Sequence, residues 1–189
     1  MAAFGLSKDC LMKALAKFDL TDAKAALSWI QDVTGYKFDP PVKDIKDQFD
    51  VRDVLRDGQA LCLLMNEIQP GSIKKINTSQ VAFKQMENIG KFITGCKAYG
   101  MKEVDTFQTH DLYDGKTMYS VINCIFSLGS LAKKNGYKGP TIGVKISDEN
   151  IRVFSQEQLQ GGNSVINLQY GTNKHASQKG MSFGTMRKM

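Results

Sequence analysis

Three groupings in this chain of 189 residues have the residue types and spacing to suggest chemistry. Asp114-Gly115-Lys116-Thr117 ends like a phosphate-binding loop. The complete pattern, G-x-x-x-x-G-K-[ST], needs a glycine where His110 stands, and without it the backbone cannot turn its N–H groups onto a phosphate. A turn followed by a helix start is expected there instead. His110-Asp111 sets an imidazole beside a carboxylate, but sequence neighbours rarely orient one another as base and orienter. No motif supplies a serine or cysteine nucleophile, so a structural or turn role is expected. Cys10, Cys62, Cys96 and Cys124 are widely spaced without any C-x-x-C, and only His110 and His175 are available to assist them. No metal centre is predicted. The last three cysteines fall on apolar patterns of helical period, where a reduced thiol behaves as a small hydrophobe. The chain is therefore read as non-enzymatic, with no catalytic residue, metal or cofactor.

What remains is binding chemistry. The net charge is +6 and the isoelectric point about 9.1, an excess that favours acidic partners without naming one. Residues 1–139 hold 19 basic against 16 acidic side chains, and residues 140–189 hold 6 against 3. Equal net charge on about a third of the length makes the C-terminal part the stronger electrostatic candidate. Nucleic acid is not expected as a partner, because no recognised binding motif accompanies this mild charge. The longest apolar run, Ala60 to Met65, is far below the roughly 20 residues a membrane span needs. Lys8 and Asp9 interrupt the only early apolar stretch, so no secretory signal is read and a cytosolic location is expected. On that reading Asn77-Thr78-Ser79, a glycosylation acceptor pattern, stays unmodified.

The elements that must position such residues are helices. Ser7 can cap a first helix with Leu11, Ala14, Leu15 and Phe18 on one face. Thr21 or Asp22 can start a second, with Ala26, Trp29, Ile30 and Val33 facing the core and Gly35 ending it. Asp57 is expected to cap a buried helix running to about Ile68, ahead of Pro70-Gly71. Ala60 to Met65 is apolar on nearly every side, which places that helix at the domain centre. Phe83, Met86, Ile89, Phe92, Ile93, Cys96 and Tyr99 predict a long helix stopped by Gly100. Met118, Val121, Ile122, Ile125, Phe126, Leu128 and Leu131 predict another, fading at Lys133 to Gly136. No stretch alternates with period two over a useful length, so the fold class is all-α. After Lys138, Gly, Asn, Gln, Ser and Lys replace the apolar residues, and a mostly flexible tail with short ordered pieces is expected.

Two stretches rise above composition. One is Leu55-Arg56-Asp57-Gly58-Gln59-Ala60-Leu61-Cys62-Leu63-Leu64-Met65-Asn66 with Gln69-Pro70-Gly71 behind it. The other is Phe83-Lys84-Gln85-Met86-Glu87-Asn88-Ile89 with Phe107-Gln108-Thr109 and Asp111-Leu112-Tyr113 downstream. Together they resemble a single calponin homology domain, over residues 23 to 132. The opening Phe4-Gly5-Leu6-Ser7 is similar to that of the transgelin and calponin group. Val165-Ile166-Asn167-Leu168-Gln169-Tyr170-Gly171-Thr172-Asn173-Lys174-His175-Ala176-Ser177-Gln178-Lys179-Gly180-Met181 resembles the calponin-like repeat, and Phe154-Ser155-Gln156-Glu157-Gln158-Leu159 resembles the segment that precedes it. One domain with one repeat is the layout of transgelins, whereas calponins carry several repeats. The resemblance divides the chain into an N-terminal helical extension (1–22), a calponin homology domain (23–138), a linker (139–164) and a calponin-like repeat with a basic tail (165–189).

That resemblance implies a compact bundle of about four main helices with shorter connecting ones. It also implies a cytoskeletal protein associated with F-actin, typical of muscle or motile cells, that stabilises or bundles filaments through the repeat. On this basis Lys174, Lys179, Arg187 and Lys188 supply attraction, Asn173, Ser177 and Gln178 supply hydrogen bonds, Tyr170 and Met181 supply apolar area, and Gln169 is a further contact candidate. His175 stands where the repeat usually has glycine, Lys179 where it usually has alanine and Tyr170 where it usually has methionine. Ser177, Ser182 and Thr185 lie among the cations, and a phosphate on any of them would cancel local positive charge. A monomer is expected, with other cytoskeletal or signalling proteins as further partners. The alternative is a signalling or scaffold adaptor whose helical domain docks a non-actin protein.

Overall fold

The computed structural model describes residues 12–13, 16–147 and 150–164, the last three of these by backbone alone. Asp19 begins the first complete helix, α1 (Leu20–Thr34), by accepting the Thr21 N–H on Oδ1 at 2.7 Å. The cap lies two or three residues before the Thr21 or Asp22 start expected from the sequence. Gly35 closes α1 at φ 67°, its N–H returning to Gln31 O at 2.8 Å. Of the still earlier helix, Met12, Lys13 and Ala16 are helical; its expected cap, Ser7, lies outside the described residues.

A 3-10 turn (Val42–Asp44) leads to α2 (Gln48–Leu55), whose cap Asp47 accepts from both Phe49 N and Asp50 N. The central helix α3 (Gln59–Ile68) has Gly58, not Asp57, at its N-cap. Asp57 still serves the helix start, because its Oδ1 accepts the Gln59 N–H at 2.9 Å. Gly58 holds φ 67°, and a Cβ there would fall 2.9 Å from Asn88 Cβ and 3.0 Å from Ile89 N. Both the backbone angle and the close approach require glycine at this position.

Then come α4 (Ala82–Ala98), a 3-10 turn (Glu103–Asp105), α5 (Thr109–Tyr113) and α6 (Met118–Lys134). Gly100 ends α4 as expected, with Gly100 N on Lys97 O and Met101 N on Cys96 O. Ala60, Leu61, Cys62, Leu64 and Met65 of α3 are fully buried, so the sixfold apolar run does mark the domain centre. Only Leu63 in that run reaches the surface. α3 packs on α4 and α1, α6 packs on α1 and α5, and one continuous apolar core joins them. No strand occurs among the described residues, and none of their helices is long and apolar enough to cross a membrane.

The domain's contacts continue past residue 138. Trp29 Nε1 donates to Pro140 O at 2.8 Å, and a Cβ on Gly129 of α6 would meet Ile142 Cγ2 at 2.5 Å. The chain divides into two units, Met1–Ser147 and Asp148–Met189. In the second, α7 (Gln156–Ser164) starts with a reciprocal cap: Gln158 N donates to Ser155 Oγ, and Ser155 N donates to Gln158 Oε1. Ile151, Val153, Phe154 and Leu159 of this unit are exposed.

A polar cleft as the candidate functional site

The site residues predicted from the sequence lie outside the described residues. These are Gln169, Tyr170, Asn173, Lys174, Ser177, Gln178, Lys179, Met181, Arg187 and Lys188, with the modification candidates Ser177, Ser182 and Thr185. The motifs set aside as structural are visible. Gly115 turns at φ 69° just before α6, and a Cβ there would lie 2.9 Å from Arg52 Cδ. Asp111 accepts from Gln108 N at 2.8 Å and from the Thr117 hydroxyl, so it fastens α5 to the start of α6. His110 Nε2 lies 3.9 Å from Asp111 and is half exposed, beyond hydrogen-bond reach.

The buried thiols are also structural. Cys62 Sγ donates to Asn88 O at 3.3 Å, and burial pushes its pKa up to about 12. Cys96 is raised well above the ordinary thiol value by its hydrogen bond to Cys124 and by burial. Neither can furnish a thiolate near neutrality. No group of three metal-ligating side chains is assembled among the described residues.

One place does collect polar side chains around open space. A cleft of about 450 Å³ is lined by Asp53 of α2, Arg56 and Asp57 of the α2–α3 turn, Gln80 just before α4, Gln85 in its first turn, and Tyr113 at the end of α5. Its frame is held by Asn88, which is fully buried on α4. Asn88 Nδ2 donates to Asp57 O at 2.9 Å and to Asn77 O at 2.8 Å, while Oδ1 accepts from Asn77 N at 2.9 Å. One amide thus fixes the α2–α3 turn and the segment before α4 to the same helix.

The two carboxylates of the cleft already have donors. Asp53 Oδ1 takes Arg52 Nε at 2.8 Å and Nη2 at 2.6 Å; Asp57 takes Gln59 N and, at 2.8 Å, Gln59 Nε2. Burial nevertheless raises the Asp57 carboxyl above its ordinary value. Arg56 is different. Its guanidinium lies 4.2 Å over the Tyr113 ring, and its Nε is buried without a hydrogen-bond partner among the described residues. Gln85 Nε2 donates to Gln80 Oε1 at 3.2 Å. The arrangement offers donors and acceptors for binding; it places no nucleophile beside a base.

Sequence reasoning assigned no role to Arg56, Tyr113, Gln80 or Gln85. The available signal was weak: an arginine between Asp53 and Asp57, at the turn into a buried helix.

Comparison with known proteins agrees with this architecture. Residues 20–134 match the calponin homology (CH) domain family and residues 166–189 the calponin family repeat. Myophilin of Echinococcus granulosus is 42% identical over 97% of this chain and 94% of its own length. Calponin-2 of Mus musculus is 39% identical over 98% of this chain, and this chain spans 58% of that protein. Among solved structures, the calponin-homology domain of an IQGAP protein from Schizosaccharomyces pombe aligns with TM-score 0.54 and 28% identity, over 79% of this chain and 87% of that one. The calponin-homology domain of Rng2 from the same organism aligns with TM-score 0.55 at the same identity and coverage.

Proposed function

Because the chain belongs to the transgelin/calponin family, we propose that it is a non-enzymatic cytoskeletal protein that binds F-actin mainly through its basic C-terminal repeat. The observation that carries this reading is the charge of the segment matching the repeat. Residues 166–189 contain Lys174, Lys179, Arg187 and Lys188 and no aspartate or glutamate. A segment whose charged side chains are all positive is attracted to an acidic filament surface at long range. Asn173, Ser177, Gln178, Tyr170 and Met181 supply short-range contacts once it arrives. The helical domain is the rigid module, and binding stabilises or bundles filaments, as suits a muscle cell.

Each exposed ion pair contributes only about 0–1 kcal/mol, and ordering the segment opposes binding. Affinity on the order of micromolar follows. Co-sedimentation of the full chain beside a form ending at Gly161 tests the assignment. The shortened form keeps its helicity and loses filament binding; equal pelleting of both forms moves the binding site into the helical domain.

A further inference from the structure

The turn between α2 and α3 leaves a positive charge without a counterion. Arg56 makes no ion pair or hydrogen bond among the described residues, and its Nε is buried. Asp57, next to Arg56 in sequence, is committed to Gln59, and Asp53, three residues before it, is committed to Arg52. Arg56 as a whole is only partly buried, so the terminal N–H groups of its guanidinium, which have no acceptor among the described residues, are the ones an acceptor from outside can reach. We propose that the cleft of Asp53, Arg56, Asp57, Gln80, Gln85 and Tyr113 docks a carboxylate side chain carried by a partner polypeptide.

Five observations narrow the occupant. The Arg56 guanidinium carbon sits 4.2 Å from the Tyr113 ring centroid, and its forked terminal donors suit a planar, two-oxygen acceptor. The cleft, at about 450 Å³, is far larger than one carboxylate and has room for the residues on either side of it. Gln80 keeps its amide N–H groups and Gln85 its amide oxygen after the bond between them, a donor and an acceptor that suit a peptide main chain. Val81 and Phe83, next to Gln80 in sequence, are 60% and 69% exposed and offer apolar contact beside the charge. Asp53 and Asp57, which also line the cleft, favour a basic residue next to the acidic one in the partner.

The test uses the full chain and a capped pentapeptide with a central glutamate flanked by leucine and lysine. Binding is followed by the NMR signals of the Arg56 Nε–H and of the backbone amides of Asp57 and Tyr113. The glutamate peptide shifts these signals saturably. The same peptide with glutamine binds at least about tenfold more weakly to the unaltered protein, as does the glutamate peptide to Arg56→Met. Arg56→Lys, which keeps the charge and loses the fork, falls between. Equal binding of the glutamine peptide, undiminished binding by Arg56→Met, or no shift up to about 10 mM peptide overturns the proposal. Tighter binding of a phosphoserine peptide or of inorganic phosphate also overturns it, in favour of a phosphate site. No filament is present in these measurements, so this proposal and the filament-binding reading can fail separately.

Discussion

Trp29 Nε1 donates to Pro140 O at 2.8 Å, joining α1 to a segment 111 residues further along the chain. The bond turns a core aromatic into a clasp. Pro140 lies in a stretch whose next residues sit against α6: a Cβ on Gly143, where φ is 88°, would fall 2.2 Å from Ser130 Oγ and 2.6 Å from Phe126 O. Trp29→Phe keeps most of the apolar ring and removes the donor. It is expected to cost about 1 kcal/mol in thermal unfolding and to speed amide exchange in residues 137–143 before the core. Gly143→Ala is expected to cost more, because it combines the positive φ with a backbone collision. Exchange in 137–143 unchanged by Trp29→Phe would mean that the clasp holds nothing.

Asn88 and Gly58 form a second junction. Asn88→Ala removes three hydrogen bonds and leaves Asn77 N–H and two carbonyls short of partners in the interior. A loss of about 3 kcal/mol in denaturant unfolding is expected. Gly58→Ala drives a methyl against Asn88 Cβ and costs about 1–3 kcal/mol alone. Asn88→Ala keeps the Cβ and leaves Ile89 N in place, so the steric cost of Gly58→Ala persists in the double variant and the two losses should add to within about 0.5 kcal/mol. A double variant as stable as Asn88→Ala alone would refute the close approach.

Acid affects two carboxyls in opposite senses. Hydrogen bonds from Lys91 and Lys84 hold Glu87 down, from the ordinary 4.5 to about 2. Its pKa is lowered in the folded state, so its contribution is present above the unfolded pKa of 4.5 and is lost as pH falls towards 2. Asp57 is raised by burial, so the folded state binds its proton more readily than the unfolded state does. Its ionisation therefore lowers stability as pH climbs through the folded value. In urea unfolding from pH 7 downward, Glu87→Gln should flatten the acid loss between about pH 4.5 and 2, whereas Asp57→Asn should steepen the net loss on acidification. Parallel curves for all three proteins would contradict both assignments.

Legibility in the sequence followed the range of the interaction. The apolar stripe of Trp29 and the run Ala60 to Met65 locate the core because 3.6-residue periodicity is local. Cap positions were less sharp: Asp19, Thr21 and Asp22 all suit a helix start, and the distinction rests on which side chain reaches an N–H. Gly58 took the cap expected of Asp57 because α4 passes too close for any Cβ there. The cleft was not legible at all. Arg56 becomes distinctive only when folding lays it over Tyr113 while Arg52 claims Asp53, and no spacing rule encodes that exchange of partners.

Charge in residues 166–189 should govern filament binding in a graded way. The Debye length falls from about 10 Å at 0.1 M salt to about 3 Å at 1 M, so attraction between an exposed cationic segment and an acidic surface fades over that range. Lys174→Glu with Lys179→Glu changes the local charge by four units, a larger change than Ser177→Glu or Ser182→Glu. Co-sedimentation at 0.1 M salt should therefore rank the unaltered chain first, the single serine variants below it by a few-fold, and the double lysine variant last by more than about tenfold. High salt should compress these differences, since screening weakens the attraction that the substitutions remove. Retention of the full spread at 1 M would instead indicate short-range contacts of Lys174 and Lys179 with the filament, formed in a water-poor interface where salt does not reach.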